Sequence, residues 1–428
     1  MVLASLGLGA CSSPDEPEYD VPERSRILGA QLEVDADGTP VVIAQVGMNY
    51  GTQAPRGEWD PAYVTRNVET VVYAGTGGAW KAHPFRNLQR SYEGRPLLVR
   101  NAAGRLQPLV WNRQRLSLYA RSGDDWILKS TSLVDDPYRM HDFGAPYQNG
   151  YGNVSLLGDS GWQAMAPFQE RPAAVVMTSD GRRFVLDTMV QFNPMGFFYG
   201  KTANLAVGTL NQYSYSSTGP NPSLVCYSWD PDHPASKPVR NTLLDSGDAY
   251  SLPAGYSLSA GKVLGEDRIY VYTRSDSLAE FALRGDGFVR LSGIDLRVPV
   301  PGKDSLSGSR VLVRPSIGPD RCVHTLGALE SRASSQYMPT SPISFLHTSS
   351  CLTGKDTLAL PEQLRVQDAY TTLSEMRFSP QGEPMVLLTT VKSPPQFHGG
   401  DVSIGPSWIV LARRTETGKW EIEKIAEY

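Results

Sequence analysis

The chain has 428 residues, a formal net charge of -4 and only 20% charged residues, with acidic and basic groups mixed along its length. No basic stripe points to nucleic acid, and no apolar run reaches the roughly 18 residues that a membrane-crossing helix needs. With 40 glycines, 32 prolines, 20 tyrosines and no sustained i, i+3, i+4, i+7 stripe, the composition speaks against a helical body. It predicts an all-β body of short strands and many turns.

Met1–Ala10 is short and apolar and runs into Leu8-Gly9-Ala10-Cys11-Ser12-Ser13. This stretch resembles a bacterial lipobox, in which small residues precede a cysteine that is diacylated and becomes the first residue after cleavage. The resemblance implies a signal segment over 1–11, lipidation at Cys11 and a membrane contact through the lipid anchor only. Ser12, rather than Asp, after the cysteine implies the outer membrane of a cell envelope. The stretch departs from the family in that no Lys or Arg precedes the apolar run, which is also short; a start placed too far downstream accounts for both. The alternative is a frayed apolar end on a cytosolic protein. Residues 12–26 read as a tether, since Ser12–Glu23 holds five acidic residues and three prolines and cannot build a core. Residues 27–428 read as one domain.

That domain opens on Leu32–Val46, a strand, an Asp37-Gly38 turn and a second strand rich in Val and Ile. Gly38 accepts positive φ without a Cβ clash, and alternating apolar residues give each strand one buried face. The same pattern recurs from near Ile27, Pro96, Asn153, Ala203, Ser257, Arg310 and Leu373. Most units add a second hairpin, such as Thr70–Pro84 around Gly77-Gly78 or Trp408–Ile425 around Thr417-Gly418. Four short strands repeating roughly every 50–65 residues predict a β-propeller, because a lone four-stranded sheet cannot bury both faces and must pack on its neighbours. Seven blades fit best; six or eight stay open, because the unit from Ala203 to Leu244 is weakly marked.

Several outer hairpins carry a turn followed by Trp: Thr76-Gly77-Gly78-Ala79-Trp80, Ser122-Gly123-Asp124-Asp125-Trp126 and Thr415-Glu416-Thr417-Gly418-Lys419-Trp420, with Asp286-Gly287-Phe288 a weaker echo. These resemble degenerate Asp-box repeats of sialidase-type propellers, where the Trp wedges between blades. The resemblance implies a scaffold and carries no catalytic residue. Sialidases clamp a carboxylate with three arginines. Arg100, Arg314 and Arg377 recur toward the ends of first strands, but that end faces away from the expected ligand face, so they read as rim residues.

Cys322 and Cys351 flank two neighbouring predicted strands, Arg321–Leu326 and Ile343–Ser349. They read either as a disulfide, in an oxidising compartment, or as two buried thiols. Cys226 reads as a core thiol. His83, His233, His324 and His347 read as structural or solvent-exposed.

Long connections at Gly47–Asn67, Asp135–Gly152, Gln191–Thr202 and Lys392–Pro406, with Gly327–Pro342 a fifth, are assigned to the ligand face. The candidate ligand-face residues are Tyr50, Trp59, Tyr138, His141, Asp142, Tyr147, Phe198, Tyr199, His398 and Asp401. Aromatic side chains among a few polar groups suit stacking on sugars or docking a protein segment, or they fold back as lids. His141-Asp142 and His398 with Asp401 would have to converge to form a metal site or an acid/base pair, and nothing in the sequence requires it. No cofactor, metal site or catalytic residue is expected. The reading is a lipid-anchored envelope propeller serving as a binding or scaffold module for a protein or glycan. The alternative is an envelope polysaccharide hydrolase or lyase.

Overall fold

The computed structural model describes residues 25–48, 67–75, 79–85, 97–101, 105–112, 115–122, 125–133, 154–157, 161–167, 174–188, 191–211, 223–244, 259–263, 265–272, 277–291, 296–297, 313–332, 341–352, 356–364, 369–374, 376–392 and 407–428. These residues form seven antiparallel sheets. Sheet 1 holds β1 (Ser25–Val34), β2 (Pro40–Met48), β3 (Asn67–Ala74) and β4 (Lys81–Pro84). Sheet 2 holds β5 (Leu97–Arg100), β6 (Leu106–Asn112), β7 (Arg115–Ser122) and β8 (Asp125–Leu133). Sheet 3 holds β9 (Val154–Leu157), β10 (Gly161–Pro167), β11 (Ala174–Thr178) and β12 (Arg183–Asp187).

Sheet 4 is built from β13 (Gln191–Tyr199), β14 (Asn204–Asn211), β15 (Ser223–Trp229) and β16 (Val239–Leu244). Sheet 5 is built from β17 (Ser259–Val263), β18 (Glu266–Tyr272), β19 (Ser277–Arg284) and β20 (Gly287–Arg290), with the short β21 (Leu296–Arg297) on β19. Sheet 6 contains β22 (Val313–Ile317), β23 (Val323–Arg332), β24 (Ser341–Ser349) and β25 (Asp356–Ala359). In sheet 7 the first strand is split into β26 (Ala369–Leu373) and β27 (Arg377–Phe378), both paired with β28 (Pro384–Lys392), followed by β29 (Ser407–Arg414) and β30 (Trp420–Glu427).

Apart from β21, which pairs with β19, and β27, which pairs with β28, the strands of each sheet lie in chain order, each hydrogen-bonded to the next. The cores lie between sheets. Val99, Leu109, Trp162, Val176 and Tyr227 join sheets 2, 3 and 4 in one buried cluster. Phe198, Leu205, Ile269 and Phe281 join sheets 4 and 5; Leu326, Phe345, Val386 and Val410 join sheets 6 and 7. Ile27, Leu32, Val42, Leu387 and Ile409 form a cluster shared by sheets 1 and 7, so the first sheet packs on the last. Sheets 5 and 6 meet through β17 and β22. Each fully buried Val, Leu or Phe contributes about 1.5–3 kcal/mol, which is why sheets with two apolar faces stack instead of standing alone. The architecture is a β-propeller, all-β as the repeat predicts.

One unit begins earlier than its sequence suggests. Gln191–Tyr199, assigned above to a long loop, is the first strand of sheet 4, and the unit starts there and not at Ala203. Pro194 and Gly196 disguise it. The register slips between those two residues, so a bulge accommodates the proline that cannot donate to a ladder.

The tryptophans that follow the outer-hairpin turns pack against the clusters between sheets. Trp80 packs on the cluster between sheets 1 and 7, Trp126 on that between sheets 1 and 2, and Trp420 on that between sheets 6 and 7. Phe288 is buried between sheets 4 and 5.

Candidate functional site

Cys11, Tyr50, Trp59, Tyr138, His141, Asp142, Tyr147, His398 and Asp401 lie outside the described residues. Phe198 and Tyr199 are described, and both correct the expectation that they face a ligand from a loop. Phe198 is buried in the core between sheets 4 and 5, with its ring edge-on to Phe288 at 4.9 Å. Alternation along β13 turns the neighbouring Tyr199 outward, 47% exposed, and its hydroxyl donates to the Leu156 carbonyl of sheet 3. Both stand where β13 ends in the Gly200–Ala203 turn, on the tight-turn end of the molecule.

The tight-turn end is defined by contacts between turns of adjacent sheets. The Leu106 amide donates to Asp35 at 3.2 Å, and the Thr202 amide donates to Asp286 at 2.7 Å. Gly38, with φ of +88°, faces the Pro380 ring so closely that a Cβ there would sit 3.0 Å from Cδ.

Three charged clusters populate the described residues near this end. In the first, Glu33 at the end of β1 receives Arg377 Nη2 at 2.8 Å from sheet 7 and Arg100 Nη2 at 3.3 Å from sheet 2. Two of the three recurrent arginines therefore hold an internal carboxylate and bridge three sheets. Arg314 has no described side chain.

In the second, the fully buried Glu280 of β19 accepts from Arg268 and Arg321 and, at 3.0 Å, from the Tyr270 hydroxyl. Arg268 and Tyr270 are two apart on β18 and so share a face, and Tyr270 stands opposite Glu280 in the ladder. Burial, followed by the nearby carboxylate, raises the Tyr270 phenol above its ordinary range, so it stays a donor.

The third pairs two buried histidines with a carboxylate. His324 of β23 and His347 of β24 are 5% and 1% exposed, and their rings stack with Nδ1 of the first 3.1 Å from Nε2 of the second. His347 Nδ1 lies 2.7 Å from Asp356 Oδ1, and Asp356 also accepts from Arg414 and, at 3.4 Å, from the Trp420 indole. Hydrogen bonds from His347 and Arg414 outweigh burial and hold the Asp356 carboxyl below its usual range, so it is an acceptor. Burial, reinforced by the His347 charge, draws His324 down to about 4, leaving it neutral near pH 7. His324 Nε2 is buried without a hydrogen-bond partner.

Two residues before His324 comes Cys322, joined by a disulfide to Cys351 with their α-carbons 5.5 Å apart. A carboxylate oxygen of Asp320 and the two sulfurs lie within 4.8 Å of one another. The turn that presents them runs Gly318-Pro319-Asp320-Arg321-Cys322, closed by the Arg321 amide donating to Gly318 O and the Gly318 amide to Cys322 O, both at 2.9 Å. The histidines, Asp320 and Asp356 were not singled out from sequence as a group. The available signal was Asp320-x-Cys322-x-His324, three ligand-type residues at a spacing of two leading into a strand.

No family model and no curated protein matches the chain. Among solved structures it is similar to the fucose-specific lectin from Aleuria aurantia, at 11% identity over 94% of this chain and 95% of that one, with a TM-score of 0.35. It is also similar to a hypothetical selenium-binding protein from Sulfolobus tokodaii (11% identity, 85% and 87% of the chains, TM-score 0.39). A third is apo AztD from Citrobacter koseri (10% identity, 83% and 92%, TM-score 0.35). Scores this low carry no argument about ligand or activity.

Proposed function

We propose that this protein is a lipid-anchored, envelope-facing propeller that binds a protein or glycan partner through the connections opposite its tight-turn end. One observation carries the reading: the charged clusters around Glu33, Glu280 and Asp356 each tie adjacent sheets together. Side chains committed to bracing are poor candidates for turnover. Recognition then falls to residues 49–66, 134–153 and 393–406, which join described strands at the other end and hold Tyr50, Trp59, Tyr138, Tyr147 and His398. Aromatics there suit sugar stacking or a peptide segment. The anchor rests on the lipobox resemblance at Cys11, and the kinship with Asp-box propellers on the Trp-bearing turns.

The test is a glycan array probed with the chain and with Trp59→Ala and Tyr138→Ala variants. Saturable binding that weakens tenfold or more in either variant supports the reading. Cleavage of an envelope polysaccharide by the wild-type chain would overturn it in favour of a hydrolase or lyase. Mass spectrometry of the Cys11 peptide reads the anchor separately: a diacylated cysteine supports it, and an unmodified, uncleaved N-terminus removes it.

A further inference from the structure

We infer that the Cys322–Cys351 disulfide is a redox latch on Arg321. Closed, it holds Arg321 in a left-handed conformation from which the guanidinium reaches Glu280 of sheet 5; a dithiol reductant releases it. The observation behind it is a comparison of five turns. Those that begin at Asp35, Thr178, Gly318, Ser379 and Thr415 share one pattern, in which the first amide donates to the fifth carbonyl and the fourth amide to the first carbonyl. The fourth residue is Gly38, Gly181, Gly382 or Gly418 in four of them, with φ of +88°, +86°, +87° and +81° in that order. In the remaining one it is Arg321, at φ of +67°, the one non-glycine residue with positive φ among those described.

A side chain in that conformation crowds Cβ against the following carbonyl, and such a residue persists only where its surroundings over-determine it. Two features do so here. Arg321 donates to the fully buried Glu280 carboxylate of the neighbouring sheet. The next residue, Cys322, is tied to Cys351. A glycine would satisfy the same turn without strain and could not reach Glu280, so the arginine is there for its side chain.

The disulfide is not needed to hold its two strands together. β23 and β24 pair from His324 with Ser349 to Arg332 with Ser341, and just beyond that ladder the Ser350 amide donates to the Val323 carbonyl at 2.9 Å. What the bond adds is a fixed position for Cys322, one residue past the strained one. With Cys322 fixed, Arg321 cannot relax to right-handed backbone without moving the sulfur. Reduction removes that constraint and leaves the ladder intact.

Cys351 is exposed and Cys322 buried, so a reductant's thiolate attacks the Cys351 sulfur. A mixed disulfide forms, and Cys322 leaves as a thiolate that takes up a proton. The second thiol of the reductant then attacks the reductant's own sulfur in the mixed disulfide. Cys351 leaves as a thiolate and is protonated in turn, and the reductant departs as a disulfide. Two electrons and two protons pass from the dithiol to the chain. Arg321 then leaves the left-handed region, the turn bonds from the Arg321 and Cys322 amides open, and Glu280 keeps only Arg268 of its two arginines.

The experiment uses the full chain carrying Cys11→Ser, so that Cys11 adds no thiol, before and after reduction with dithiothreitol. Hydrogen exchange read by mass spectrometry gives protection relative to intrinsic rates at three places. These are the turn at 318–322, the matching turn at 379–383, and Leu291, whose amide donates to the Glu280 carbonyl at 2.9 Å. Reduction should lower protection about tenfold or more at the first turn and at Leu291, and leave the second turn unchanged. In Arg321→Gly, reduction should change neither the 318–322 turn nor Leu291 by more than about threefold, because a glycine needs no latch. Leu291 is the decisive position, since it bonds to sheet 5 and a bond that merely staples two strands of sheet 6 does not reach it. Unchanged protection at Leu291 in the reduced wild type overturns the inference, even if Arg321→Gly fails to fold. An equal loss in Arg321→Gly overturns it too, as does a loss that spreads to the 379–383 turn, which marks unfolding of the whole chain.

Discussion

Removing the Arg268 guanidinium from the Glu280 cluster is the sharpest test of how a buried charge is held inside sheet 5, where Arg321 of sheet 6 also reaches it. The Glu280 side chain is fully buried, Arg268 is 10% exposed and Arg321 is 27% exposed. In Arg268→Met the carboxylate keeps Arg321 and the Tyr270 hydroxyl but loses its best-buried counter-charge. Breaking a buried pair from one side costs about 3–5 kcal/mol, most of it the cost of the orphaned charge. Replacing both members removes the orphaned carboxylate but leaves the Tyr270 hydroxyl and Arg321 without that acceptor, so Arg268→Met with Glu280→Met should recover part of the cost and fall short of the sum of the single losses. The control is Arg413→Met, whose partner Glu421 is 61% exposed across 3.3 Å and whose loss costs at most about 1 kcal/mol. Urea unfolding followed by tryptophan fluorescence and far-UV circular dichroism measures all three. The Arg268→Met deficit should persist in high salt, which screens exposed pairs and reaches buried ones poorly. A cost below about 1 kcal/mol, or a double variant as weak as the sum of its parts, would show that the cluster is solvated and that its geometry contributes little to the fold.

Three further outcomes follow from geometry already described. Gly200→Ala should destabilise by about 1–3 kcal/mol although its φ is ordinary, because the new Cβ would meet Leu205 Cδ1 at 2.9 Å, the Ala203 carbonyl at 3.0 Å and the Asp286 carboxylate closer still; the same urea midpoint reads it. Burial pushes the Cys226 thiol up to about 12, so iodoacetamide should leave it unlabelled in the native chain at neutral pH and label it once urea unfolds the protein. The Thr202 hydroxyl, then the Thr202 amide, donate to Asp286 and hold its carboxyl below the usual carboxylate value. A depressed acid stabilises the fold above its unfolded value, roughly pH 4, and that contribution fades as pH falls through the folded value. The protection of the Thr202 and Ala203 amides, taken relative to their intrinsic exchange rates at each pH, should therefore fall at acid pH in wild type, whereas in Asp286→Asn it should already be low at neutral pH and change less.

The scaffold was legible in the chain because propeller sheets are local. Each hairpin pairs residues only a few positions apart, so turn chemistry such as Asp37-Gly38 and alternation such as that of Leu32–Val46 mark it directly. Sheet 4 was the exception: Pro194 and Gly196 look like loop residues until a bulge absorbs them. The charged clusters were much less visible. Glu33 meets Arg377 across 344 positions, and Asp356 meets Arg414 across 58, distances over which no spacing rule operates. His324 and His347 look like isolated histidines in sequence and become a pair only when β23 lies beside β24.

The seam between the first and last sheets is made without exchanging a strand. Sheet 1 is built wholly from residues 25–84 and sheet 7 wholly from residues 369–427. The Ile27 amide donates to the Ser407 hydroxyl at 3.3 Å, and Ser407 trades backbone hydrogen bonds with Tyr428 at 2.8 and 2.9 Å. One serine thus anchors the beginning of the first strand and the end of the last. The chain could be cut in any connection between sheets and rejoined across this point by a short linker without breaking a single ladder. A load applied through residues 12–26 would likewise reach the body at this seam, which side chains, and not strand pairing, hold shut.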